Sequence, residues 1–199
     1  ATTPAQVQRV ALEWPQFRGP GGLATSKAQL PTKWSISENI AWKTPLPGQG
    51  TSSPIVVGDR IFLTYYTGTP AEENLEMHIL CLGRSDGRTI WDKAVKAVLP
   101  DQEKIREGHG YASSTPAADG ERLYVFFGKT GVFAFAQNDG RELWRTDVGS
   151  KIHGWGSAAS PVLYRDMVLI NASVESESLV ALNNKTGKEV WRADGIKEA

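Results

Sequence analysis

One pattern limits what this chain can form more than any other: a glycine placed four residues before a tryptophan, three times over. It occurs as Gly87 and Trp91, Gly140 and Trp144, and Gly187 and Trp191. The clearest copy runs Ala181-Leu-Asn-Asn-Lys-Thr-Gly-Lys-Glu-Val-Trp191. Asn183 to Gly187 carry tight-turn chemistry, with Gly187 free to take positive φ, and the flanking residues read as two strands. A fourth tryptophan, Trp42, stands in Asn39-Ile-Ala-Trp-Lys-Thr44 without the turn before it. Successive members of the set Trp42, Trp91, Trp144 and Trp191 are 49, 53 and 47 residues apart. A period near 50 with strand-like content marks the blades of a β-propeller.

Each unit also opens alike, on Ser53-Pro54, Thr115-Pro116 or Ser160-Pro161, followed by a short apolar strand, a polar turn and a second apolar strand. Proline is tolerated at the head of a strand, where a missing N–H costs little. The sequence therefore predicts an all-β chain of four-stranded antiparallel blades at about 52–95, 113–148 and 158–193. In the last of these the strands are expected at 158–164, 166–172, 177–182 and 188–193. Residues 35–44 alternate apolar and polar and are expected to form a lone outer strand, while 1–33 read as a leader followed by an irregular segment on the first blade. The four indoles are expected to pack between neighbouring blades, with Gly87, Gly140 and Gly187 in the turns they meet.

The residues Ala181, Asn183, Thr186, Gly187, Glu189 and Trp191 resemble the tryptophan-docking repeat of the PQQ-type β-propellers. That group includes quinoprotein alcohol dehydrogenases and the lipoprotein BamB of the outer-membrane assembly machine. The second unit matches in part, with Ala136 in place of Asn and Asp139 in place of Thr. The first departs further, with Cys81 at the Ala position and Thr89 at the Glu position. The opening Trp14-Pro-Gln-Phe-Arg-Gly-Pro-Gly-Gly22 is similar to that of secreted bacterial members. The resemblance implies a periplasmic or extracellular protein. It offers two roles, a binding or scaffolding propeller without a cofactor and a dehydrogenase holding PQQ and calcium. The vicinal cysteines of many quinoprotein alcohol dehydrogenases are not here: the chain has 1 cysteine, Cys81, at a small-residue site of a repeated strand, which predicts an inert packed thiol.

Charge and hydropathy remove several other classes. Lys+Arg and Asp+Glu are 22 each, so no net field draws the protein to nucleic acid or an anionic membrane, and no basic cluster is interleaved with aromatics. The apolar runs are strand-sized, far short of the roughly 20 residues of a membrane helix. Three blades and one strand cannot close a ring, since propellers typically hold 4–8 blades. The chain is thus expected to be the N-terminal part of a longer protein, or to assemble in trans, with an apolar blade face open at each end for self-association.

The candidate binding residues lie in the joints that enter each innermost strand. These read Pro47-Gly-Gln-Gly-Thr-Ser-Ser-Pro54, Gly108-His-Gly-Tyr-Ala-Ser-Ser-Thr-Pro116 and Ile152-His-Gly-Trp-Gly-Ser-Ala-Ala-Ser-Pro161. In a propeller such joints stand near the mouth of the central channel. His109, Tyr111, His153 and Trp155, with Gln49 at the related place in the first joint, are expected to converge there on a protein or small ligand. Imidazole and indole suit hydrogen bonding and stacking. Two histidines alone do not make a metal site, and no catalytic set or metal-ligand cluster stands out. The alternative to a ligand role is that these side chains fasten the joints. A purely structural repeat array is the third reading of the whole chain.

Overall fold

The computed structural model describes residues 13–101 and 110–197. It holds three separate four-stranded antiparallel sheets, each meandering in sequence order. Blade 1 comprises β1 (Ile55–Val57), β2 (Arg60–Thr67), β3 (Glu76–Gly83) and β4 (Thr89–Lys96). Blade 2 comprises β5 (Ala117–Ala118), β6 (Arg122–Phe126), β7 (Val132–Ala136) and β8 (Glu142–Thr146). Blade 3 comprises β9 (Val162–Tyr164), β10 (Met167–Ala172), β11 (Ser178–Asn183) and β12 (Glu189–Asp194). The chain is a partial β-propeller, as the repeat predicted. The last three strands of blade 3 fall within one residue of expectation. The first is shorter, because 158–161 belong to the joint and bond to the neighbouring blade.

Period-2 alternation explains the burial. Phe62, Met77, Ile79, Cys81, Trp91 and Val95 face blade 2 and meet Leu123, Val125, Phe133 and Phe135. The opposite face of blade 2, with Tyr124, Phe126, Ala134 and Trp144, meets Val168, Ile170, Val180 and Leu182 of blade 3. Blade 2, with a blade on each side, therefore buries both of its faces.

The glycine turns and the indoles explain one another across these interfaces. Gly87, Gly140 and Gly187 have φ of 68–70° and each closes its turn with an N–H donated to the carbonyl four residues back. A Cβ on Gly140 would come within 2.7 Å of the Trp91 ring, and one on Gly187 within 2.6 Å of the Trp144 ring. The indole Nε1 of Trp91 donates to Gln137 O at 3.1 Å, and that of Trp144 to Asn184 O at 3.0 Å. Trp42 repeats the arrangement on blade 1, donating to Arg84 O at 2.9 Å beside Gly87. Trp191, whose outer face meets no further blade among the described residues, is 38% exposed.

Two expectations need correction. Residues 35–44 form no strand, because no described strand lies beside them to supply a ladder; Ser35 and Glu38 close a turn there instead. The outer face of blade 1 is also not bare. Leu63, Tyr65, Leu80 and Leu82 are buried under Trp42 and the backbone around Gly48. At the other end the expectation holds, with Val162, Tyr164 and Trp191 exposed on the outer face of blade 3. The irregular segment does lie on blade 1, where Trp14 exchanges backbone bonds with Val56 and Pro15 O accepts from Ala118 N.

A polar knot supplements the blade 2–blade 3 contact. Tyr124 Oη donates to Asp119 at 2.6 Å and lies 3.2 Å from Asn184 O of blade 3. Burial pushes the Asp119 carboxyl up. Hydrogen bonds from Tyr124 and from the N–H groups of Arg122 and Glu121, with the Arg122 charge, outweigh it and hold the group below its ordinary value. The same burial and bond push the Tyr124 phenol above its usual range. A depressed carboxyl stabilises the fold above its unfolded value and loses that contribution as pH falls through the folded one. Replacing Asp119 by Asn should lower stability near neutrality by about 1–2 kcal/mol. Denaturant titrations should show that difference shrinking once pH drops below about 4.

The glycine turns give a sharper test. Gly58 and Gly140 both have left-handed φ, at 59° and 69°, but a Cβ on Gly58 meets nothing within 4 Å. Gly58→Ala should cost about 1–2 kcal/mol from backbone alone. Gly140→Ala should cost roughly twice that or more, since the Trp91 ring must also shift. Equal losses in paired denaturation curves would separate the indole from the turn.

Candidate functional site

The three joints run side by side at the inner ends of the blades and are stitched together there. Thr51 N and Ser52 N donate to Ala112 O at 3.0 and 3.1 Å. Ser53 N donates to Thr115 Oγ1 and Thr115 N to Ser160 Oγ, both at 3.0 Å, so the residues before the second and third prolines each accept from the counterpart one blade back. Ser114 Oγ donates to Ala159 O at 2.6 Å. The Ser/Thr-Pro opening thus does two things: proline starts the strand and the hydroxyl ties the blade to its neighbour. The repeat made the motif visible, but its cross-blade partners lie 62 and 45 residues away, outside any local pattern.

These joints line a cavity of about 650 Å³. Its walls include hydroxyl-bearing residues of all three joints, Asn171 from the end of β10, Ser173 from the helical turn that follows, and two aromatic rings, Phe17 and Trp155. Among the described residues no charged side chain lines it. A smaller cavity of about 340 Å³ adjoins it, shares Trp155 and Gly156, and is bordered by His153, Lys151, Lys197 and Glu177. Lys151 Nζ and Glu177 pair at 2.6 Å there. That pairing holds the Glu177 carboxyl below its ordinary value.

The two aromatics of the matching His-Gly-aromatic joints end in different places. Trp155 is 65% exposed and forms the wall between the two cavities. Tyr111 is buried, edge-on to Tyr66 with ring centres 5.0 Å apart. Gln49 sits on the other side of Tyr66, accepting from its phenol at 2.9 Å and pairing with its backbone. His153 is exposed and fastens its own turn, with Trp155 N donating to Nδ1 at 3.3 Å and Gly156 N to its carbonyl at 2.8 Å. His109 lies outside the described residues. Trp155 and His153 thus stand at cavities, whereas Tyr111 and Gln49 clamp Tyr66.

Sequence reasoning missed Phe17, which arrives from the irregular segment, and Glu175, buried in the helical turn Ser173–Ser176, where Ser157 Oγ donates to its carboxylate. In the fold His78 stacks on Tyr65 at 4.3 Å, touches Thr67 Oγ1 at 3.0 Å and lies 3.4 Å from Asp92, which also accepts from the Tyr65 phenol. Strand pairing brings these residues together from 65 to 92, and no local signal marks them. Cys81 is fully buried, and that burial, only partly opposed by Arg60, pushes its thiol up to about 11.

The donor set can be compared with PQQ and calcium. Calcium takes 6–8 oxygen ligands that normally include carboxylates. Among the described residues no cluster of three His, Cys, Asp or Glu is placed to hold a metal. PQQ is a planar tricarboxylate and needs cationic or strong donor partners, whereas the described cavity wall carries no charged side chain. Trp155 offers a stacking surface, but these residues do not fit the pair.

Comparison with known proteins agrees with the fold. A family model described as outer membrane protein assembly factor BamB, of the PQQ-like repeat type, matches residues 75–199, and the chain belongs to that family. Tetrathionate hydrolase of Acidithiobacillus ferrooxidans is 23% identical over 171 residues, covering 77% of this chain and 31% of that protein. Quinohemoprotein alcohol dehydrogenase from Comamonas testosteroni superposes with a TM-score of 0.58 at 14% identity, over 92% of this chain and 27% of its own. Quinohemoprotein alcohol dehydrogenase ADHIIG from Pseudomonas putida HK5 gives 0.51 at 23% identity, over 76% and 22%. The chain therefore spans about a third of that curated relative and about a quarter of these solved chains. Among the described residues no helix is long and apolar enough to cross a membrane.

The contrast between the aromatics is directly measurable. Trp155→Ala should leave the unfolding midpoint within about 0.5 kcal/mol of the parent, as for an exposed side chain. Tyr111→Ala should cost about 3 kcal/mol or more by opening a hole beside Tyr66. Thermal or chemical denaturation of the two variants side by side checks this.

Proposed function

We propose that this stretch is a non-catalytic binding or scaffolding part of a PQQ-like propeller that works in the periplasm or outside the cell. Its ligand-facing surface is the axial cavity bounded by Trp155, with His153 at the adjoining opening. The observation that carries this reading is an exposed indole standing over a hollow whose described walls bear hydroxyls and no charged side chain. The family description, that of an assembly factor, supports a role in binding. Gln49 and Tyr111 serve this site indirectly by holding the joints in place.

The fold likeness to quinohemoprotein dehydrogenases keeps a redox role as the competing reading, one that would need ligands from beyond the described residues. Calorimetric titration of the full chain with neutral saccharides, extended peptides, and PQQ plus calcium separates the two. Binding of a saccharide or a peptide that falls at least tenfold in Trp155→Ala supports the binding role. Alcohol-dependent dye reduction after PQQ and calcium loading, or the lack of any Trp155-dependent ligand, overturns it.

A further inference from the structure

We infer that the axial cavity takes a neutral carbohydrate, with one sugar ring stacked on Trp155 and its hydroxyls bonded to the wall formed by Ser160 and Asn171. The inference rests on the binding role proposed above and names the chemistry of the ligand. The shape comes first. At about 650 Å³ the hollow lies within the range of small-molecule sites. Trp155 is 65% exposed and Phe17 51%, so two apolar ring faces stand at a polar wall. An exposed indole beside hydroxyl groups matches a sugar ring, which has an apolar C–H face and a polar rim.

The wall's hydrogen-bonding state narrows the choice. Thr115 Oγ1 and Ser160 Oγ already accept backbone N–H groups, from Ser53 and Thr115. Thr115 is buried, whereas Ser160 is half-exposed at the wall and its hydroxyl donates to no other described group, so it keeps its hydrogen for a ligand oxygen. Asn171 is held in the same way: its Oδ1 accepts from Ser173 N at 3.1 Å, which leaves the amide nitrogen to donate. These groups are fixed in place by the bonds they accept, so binding orders little that is not already ordered. A ligand that offers acceptor oxygens to these donors suits the wall.

Charge decides between oxygen-rich ligands. A phosphate or carboxylate entering this hollow would lose water without meeting a cation among the described residues of the wall. A neutral polyol carries no such cost. An extended peptide is less well served, since backbone pairing needs a free strand edge. The inner edges of blades 1 and 2 are already bonded to Trp14 and Pro15, and β9 of blade 3, whose edge is open among the described strands, does not line this hollow. Because Trp155 also walls the second cavity, the site suits a chain of rings better than a single one.

The test uses the full chain and tetrasaccharide probes: cellotetraose, maltotetraose, chitotetraose and xylotetraose. At least one should bind by calorimetry, with affinity reduced at least tenfold in Trp155→Ala and retained within about threefold in Trp155→Phe. Asn171→Asp, which removes the amide donor and adds a charge, should weaken the same probe without changing the unfolding midpoint. If no tetrasaccharide binds, or if binding is indifferent to Trp155, the carbohydrate assignment is wrong. Should peptides bind in a Trp155-dependent way while saccharides do not, this inference fails and the binding role stands. If neither class does so, both fail together.

Discussion

An indole laid over a glycine turn holds this molecule together. Each blade offers a tryptophan on its outer strand, and the next receives it on a turn whose glycine has no side chain to block the ring. The Nε1–H then finds a backbone carbonyl in that same turn, so a large apolar surface is buried without stranding its one polar atom. Both halves are needed. A ring without the glycine would collide, and a ring without the carbonyl would bury an unsatisfied donor.

A second, polar set of ties acts at the opposite, inner ends of the blades. There the hydroxyls before the second and third prolines each accept the N–H of the counterpart one blade back. The indoles fix blade spacing at the periphery, and the hydroxyls fix it near the axis. One consequence is chemical. At Ser160 and Asn171 the inner wall presents groups already held in place by the bonds they accept, and the described lining carries no charged side chain. The charged residues of this region, Lys151, Lys197 and Glu177, border the neighbouring hollow instead.

The irregular N-terminal segment completes the arrangement in a way a repeat cannot. Trp14 and Pro15 bond to the inner strands, Phe17 enters the axial cavity, and Trp42 caps the first glycine turn. Trp42 therefore fulfils the role of a blade tryptophan without belonging to a blade. It needs only the turn of Gly87 beneath it, not a sheet of its own.

The repeat period, the strand positions, the glycine turns and the burial of Cys81 were readable from the chain itself, because each depends on residues a few places apart. The bulge at Ala181, the cap of Asn183 on Lys185 and Thr186, and the period-2 burial are all local consequences of local chemistry. Tertiary structure alone decided what the joints became. The same His-Gly-aromatic phrase buries Tyr111 against Tyr66 and leaves Trp155 at the rim of a cavity. What surrounds each ring comes from segments far away in sequence, Phe17 and Tyr66 among them. Periodicity specifies which units pack, but the contents of the axis depend on which non-repeating residues meet there.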